Sequence, residues 1–143
     1  MKVYVTGSLK HPVARDTAHL IREAGHEVFD DWHAGGPECD FNWRTYEQDR
    51  GRNYAEALAA PFGANALAFD KKWLDWCDVA VGAPKPGQCI GASMAIELTY
   101  VRYACNKRTY LYLSEEPKEW DLMVPLAVHD IYYDIEALIR VIG

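Results

Sequence analysis

At 143 residues, half of them apolar, the chain suits one domain with a real core, and no apolar run approaches the roughly 20 residues of a membrane span. A net charge of −6 argues against coating nucleic acid, which takes a basic stripe, but leaves room for a small anionic ligand held by a few local donors. The opening MKVYVTGS lacks a signal-peptide pattern, so the expectation is a cytoplasmic protein that neither spans a membrane nor binds nucleic acid.

In chain order, residues 2–6 alternate as a β-branched strand that stops at Gly7-Ser8. Residues 12–24 read as an amphipathic helix with Gly25 as its C-terminal stop, and 26–30 as a second strand. A β-α-β unit this early signals a parallel sheet. Residues 31–42, with Trp32, His33, Gly35-Gly36 and Pro37, read as a loop too long to be only a connection. Residues 43–60 and 64–76 read as helices. Asp78-Val-Ala-Val-Gly82 is a short apolar run, as expected of a strand buried on both faces. A loop over 82–91 follows, then a helix in which Ile90, Met94, Leu98, Val101 and Cys105 recur at helical spacing. Strands over 108–113 and 128–133 and a closing helix over 134–142 complete the chain. The pattern is that of one α/β domain, doubly wound and flavodoxin-like, with a five-stranded, mainly parallel sheet. An aromatic and charged insertion occupies about 31–66. Cys39, Cys77, Cys89 and Cys105 form no CxxC pair and have no His neighbour at zinc-ligand spacing, so they read as reduced thiols. No metal and no other cofactor is expected.

In such a sheet, the loop from strand to helix opens onto the crevice where ligands bind. Glu97 and Ser93 stand one turn apart near the start of the helix that follows this loop. Gly7 and Ser8 occupy the first strand-to-helix turn, where free helix amides suit an anion or a ribose, and Lys10 adds charge. From spacing alone, Glu97 reads equally as a solvated helix carboxylate, Asp70 as a helix N-terminal residue favoured by the dipole, and Ser93 as a first-turn helix residue.

Three segments resemble the nucleoside 2-deoxyribosyltransferase superfamily, which includes the 2′-deoxynucleoside 5′-phosphate N-hydrolases. They are Val3-Tyr-Val-Thr-Gly-Ser-Leu-Lys10, Asp70-Lys-Lys-Trp-Leu-Asp-Trp-Cys-Asp78 and Gly91-Ala-Ser-Met-Ala-Ile-Glu97-Leu-Thr-Tyr100. With their flanks they span residues 2 to about 113, most of the chain. Thr99 replaces the family's small residue after Glu-Leu, and the loop over 85–89 departs from the usual one.

The resemblance implies cleavage or exchange of the N-glycosidic bond of a nucleoside or nucleoside 5′-monophosphate. Glu97 would be the nucleophile that traps an oxocarbenium-like sugar, and Asp70 the acid that protonates the departing base. Tyr4 would hold Glu97 in place. Gly7, Ser8, Lys10, Gly91 and Ser93 would bind substrate, with Asp78 in reserve. Trp32, His33, Trp43, Tyr46, Tyr54 and Phe62 could wall the base, and Arg44, Arg50 and Arg52 could reach a phosphate. The resemblance also implies a homo-oligomer, for which the apolar run from Trp120 to Pro125 is a candidate surface. Two other readings stand beside this one. One is a TIR-like NAD glycohydrolase, and the other a nucleotide-binding sensor without turnover.

Overall fold

The computed structural model describes residues 1–143. Strands β1 (Lys2–Thr6), β2 (Glu27–Phe29), β3 (Val79–Gly82), β4 (Arg108–Tyr112) and β5 (Asp130–Tyr132) form one sheet in the order β2-β1-β3-β4-β5. Every neighbouring pair is parallel, so the sheet is wholly rather than mainly parallel. Around it lie helices α1 (Val13–Glu23), α2 (Cys39–Asp49), α3 (Tyr54–Ala59), α4 (Pro61–Trp76), α5 (Ala92–Thr99) and α6 (Ile135–Ile142).

Alternation along β1 divides the core in two. Val3 and Val5 pack with Ala14, Ala18 and Ile21 of α1 and with Leu138 and Ile142 of α6. Tyr4 packs on the other face with Leu74 of α4 and with Met94 and Leu98 of α5. Leu98 is fully buried beside Glu97, and truncating it to Ala would cost about 2–5 kcal/mol and loosen the helix that carries that carboxylate.

Three local expectations need correction. The stretch over 31–42 is not a plain loop: a 3-10 turn covers Asp31–Gly35, and α2 begins at Cys39. The helix expected over 43–60 is two helices. The chain breaks where Gly51 takes φ +72°, a left-handed conformation costly for other residues, and Asn53 then caps α3 by accepting the Glu56 N–H at 2.9 Å. Helix α4 starts at Pro61, earlier than expected, because proline lacks only an amide that a first helical turn does not use. Beyond α5 the helical spacing continues as a wider π turn over Tyr100–Ala104, in which the Cys105 amide reaches back to the Tyr100 carbonyl at 3.2 Å.

All four cysteines are free thiols. No helix is long and apolar enough to cross a membrane.

Candidate active site

β1 leads through α1 to β2 on one side, whereas its other neighbour β3 leads through α5 to β4 on the opposite side. Such a switch point leaves a crevice at the carboxyl ends of the two strands. A cavity of about 460 Å³ lies there. Its floor comes from Thr6 to Lys10 after β1, and one lip from Pro84, Lys85, Gln88 and Cys89 after β3. Trp32 and His33 close it from the 3-10 turn, and Gly91 to Met94 together with Glu97 enter from α5. Gly7 is required where the chain leaves β1: a Cβ there would stand 2.3 Å from the Ala14 Cβ and 2.6 Å from the Ala83 carbonyl oxygen.

Helical spacing brings one carboxylate, Glu97, to the cavity and a second, Asp70, beside it, although Asp70 does not itself line the cavity. Asp70 lies one turn before the buried Leu74 on α4, so it faces the sheet. It lies well inside α4, which begins at Pro61, and this removes the reading of Asp70 as a helix N-terminal residue. On α5, Glu97 sits between Met94 and Leu98, and its Oε2 is buried without a hydrogen-bond partner. Burial, and then the negative charge of Asp70, push the Glu97 carboxyl up to about 8; the nearby Thr6 and Tyr4 hydroxyls pull the other way.

Tyr4 donates its phenol proton to Asp70 Oδ1 rather than to Glu97. Burial, with the Glu97 and Asp70 charges, holds that phenol far above its ordinary range, so it stays a donor at any working pH. The indole N–H of Trp32 donates to both the Tyr4 hydroxyl and Asp70 Oδ1, each at 3.1 Å. The sequence placed Trp32 against the base; its bonds to these two residues carried no signal in the sequence.

Of the other candidates, Gly7, Ser8, Lys10, Gly91 and Ser93 all line the cavity. Ser8 Oγ accepts the Lys10 amide at 3.1 Å, which folds the first turn back on itself. No side chain caps the start of α5, so its first amides are open toward the cavity that Gly91 and Ser93 line. Asp78 does not join the site. It precedes β3, at the end of the strand away from the cavity, and accepts the Lys2 amide at 2.8 Å. A parallel strand presents its carboxyl end to the crevice, and Asp78 stands at the amino end.

The insertion also departs from expectation. Only Trp32 and His33 of its aromatic set reach the cavity. Trp43, Tyr46 and Phe62 border a separate cavity of about 630 Å³, and Tyr54 is exposed. Arg52 pairs with buried Glu47 at 2.7 Å, Arg50 lies 3.4 Å over the Tyr46 ring, and Arg44 sits over Phe41. The cations at the cavity are Lys10 and Lys85 instead, and Lys85 comes from the loop whose sequence matched nothing familiar. Thr6, which continues the Tyr4 face of β1, was likewise missed, although strand alternation points it there. No three His, Cys, Asp or Glu side chains come together as a metal site needs.

By sequence, no protein-family model and no curated protein matches the chain. Solved structures do. The chain shares the fold of a 2-deoxyribosyltransferase. That enzyme, from the psychrotolerant bacterium Bacillus psychrosaccharolyticus, superposes with a TM-score of 0.60 at 19% identity, over 98% of this chain and 91% of its own. The CMP N-glycosidase of Clostridium botulinum superposes with a TM-score of 0.57 at 16% identity, over 99% of this chain and 97% of its own.

Proposed function

We propose that this protein cleaves or exchanges the N-glycosidic bond of a nucleoside or nucleoside 5′-monophosphate, with Glu97 as nucleophile and Asp70 as proton donor. The observation that carries the reading is a half-buried carboxylate at a cavity, Glu97, with one buried oxygen lacking any partner and a second carboxylate held beside it. A structural carboxylate would be paired; an unpaired one is explained by a ligand. Likeness to a deoxyribosyltransferase and an N-glycosidase fits the same chemistry.

In the reaction, a Glu97 oxygen bonds to C1′ as the C1′–N bond breaks, and its electron pair leaves with the base. The base takes a proton from Asp70. Water then attacks C1′, gives its proton to the Asp70 carboxylate and releases Glu97 as a carboxylate. An acceptor base in place of water gives transfer.

The protonation states follow from coupling. The carboxylate pair retains one proton near neutrality, and in the empty site burial favours placing it on Glu97. A sugar hydroxyl that donates to the orphan Oε2 favours the ionised nucleophile and moves the proton to Asp70. Lys10 and Lys85 at the cavity suit a 5′-phosphate, which favours the monophosphate over the nucleoside. Assembly into a homo-oligomer is part of the same proposal. Trp120, Leu122 and Met123 are exposed at 81%, 92% and 60%, whereas the neighbouring Val124 is buried in the core, and light scattering would read the assembly.

The direct test is base release from a panel of nucleosides and 5′-monophosphates, with and without an acceptor base, for wild type and Glu97→Ala. Glu97-dependent release establishes the chemistry, and acceleration by the acceptor marks a transferase. Silence across the panel, with nicotinamide released from NAD, would replace this reading.

A further inference from the structure

Trp32 is the one residue of the insertion that bonds the carboxylate machinery. Its single indole proton is shared between the Tyr4 hydroxyl and Asp70 Oδ1 at 3.1 Å each, and Tyr4 in turn donates to the same Oδ1. Three polar atoms from three distant parts of the chain thus close a triangle: strand β1, the 3-10 turn over Asp31–Gly35, and α4. Both donors converge on Oδ1, and the further hydrogen bond of the Asp70 carboxyl is with Glu97, through the proton the two share. The Trp32 ring is itself held in place, since Phe69 of α4 meets it edge-on at a centroid distance of 5.3 Å.

From this triangle we infer that Trp32 is a positioning residue for Asp70: its indole N–H fixes the carboxyl group so that Oδ2 carries the proton toward the leaving base. The geometry supplies the reason. A carboxyl group on a helix side chain turns about its last bond unless an oxygen is pinned, and two donors on one oxygen pin it. A donor accepted by the Tyr4 oxygen also polarises the phenol, which strengthens the second bond to Asp70. Because Trp32 lines the cavity as well, occupancy of the cavity and orientation of the acid meet in one side chain. The general acid therefore depends on the 3-10 turn being seated.

The role in catalysis rests on the proposed function; the pinning of Asp70 does not, and the two are tested apart. In protein labelled with ¹⁵N at its tryptophans, the Trp32 indole N–H resonance, assigned by its loss in Trp32→Phe, should lie downfield of the other four. It should move when Asp70→Asn or Tyr4→Phe is introduced, while the others stay in place. A Trp32 signal indifferent to both substitutions overturns the inference whatever the enzyme does.

Trp32→Phe keeps an aromatic side chain, smaller than indole, and removes the donor. With substrate, it should lower kcat about tenfold or more while KM changes less than about threefold. A carboxylate that loses a donor holds its proton to higher pH, so the basic limb of the kcat profile should move upward. Near-additive losses on combining Trp32→Phe with Tyr4→Phe would contradict a shared triangle; the expected double variant is little worse than the poorer single one. A rise in KM alone, with kcat and the profile unchanged, would make Trp32 a wall for the base and refute positioning. If wild type releases no base from any panel member, the proposed function fails, and the indole signal still decides whether Trp32 pins Asp70.

Discussion

Glu47 on α2 and the Oε2 oxygen of Glu97 on α5 are both withdrawn from water, and the molecule handles them in opposite ways. Glu47 is 2% exposed and meets the Arg52 guanidinium at 2.7 Å, beside a cavity bordered by its own helices. Glu97 has no cation, an oxygen without a partner, and a second carboxylate as its neighbour. Burying a charge costs several kcal/mol unless it is paired, so the first arrangement relieves the cost and the second retains it. The helices of the insertion therefore pair their buried charge, although the Trp43 indole N–H there is left without a partner. The switch point between β1 and β3 holds a carboxylate unpaired for something else.

The largest expected effect separates these two carboxylates. Glu97→Gln should lower base release by about 10³-fold or more, because the proposed nucleophile is lost. It should also stabilise the fold at high pH. The folded Glu97 holds its proton up to about 8, against 4.5 when unperturbed, so the native protein binds the proton more tightly than the unfolded chain. Wild-type stability therefore falls as pH rises between those values, and the Gln variant escapes the fall. Its midpoint in a thermal melt should exceed that of wild type by about 5 °C at pH 8.5, with the gap closing toward pH 5. Glu47→Gln should do the reverse. Activity should stay within about threefold, and stability should drop by about 2 kcal/mol, a loss softened because Arg52 is 34% exposed and can rehydrate. Equal activity losses in the two variants would erase the distinction.

The retained cost at Glu97 also sets a pH dependence that the insertion cannot produce. One proton serves the carboxylate pair, and the proposed mechanism needs it present for the leaving base. It is lost as pH rises through about 8, so kcat/KM should fall about tenfold per unit above that value. In a pH–rate series on wild type, a plateau extending past pH 9.5 would show that the proton does not come from this pair.

The same contrast explains which residues were legible in the sequence. Tyr4, Asp70 and Glu97 lie in regular elements, where alternation and helical spacing fix the face, and the three motifs carried their identities. The insertion offered no such register. Gly51 breaks what reads as one helix, and the pairing of Arg52 with Glu47 is a contact between α2 and the turn after it that charge pattern alone does not announce. Trp32 was visible as an aromatic residue near the ligand, but its N–H partners come from β1 and α4, far away in sequence. Lys85 was hidden for a different reason: its loop departs from the one usual in the family it resembles, and only the position of β3 beside β1 brings it to the cavity. Asp78 was misplaced because it sits at the right strand but the wrong end.

The smallest effect concerns the cations of the two regions. Lys10 and Lys85 reach the cavity with their ammonium groups unpaired by any salt bridge, whereas Arg50 and Arg52 are already engaged with Tyr46 and Glu47. A side chain can grip a ligand phosphate only if it does not first have to leave a partner. Lys10→Gln and Lys85→Gln should therefore each raise KM for a nucleoside 5′-monophosphate about tenfold, equivalent to roughly 1.4 kcal/mol, while KM for the nucleoside moves less than about twofold. The monophosphate penalty should shrink in high salt, since both lysines are at least partly open to solvent. Arg50→Gln should leave both substrates unaffected. Equal losses on nucleoside and monophosphate would remove the phosphate from the proposed substrate, and a selective monophosphate loss in Arg50→Gln would carry the anion site into the insertion.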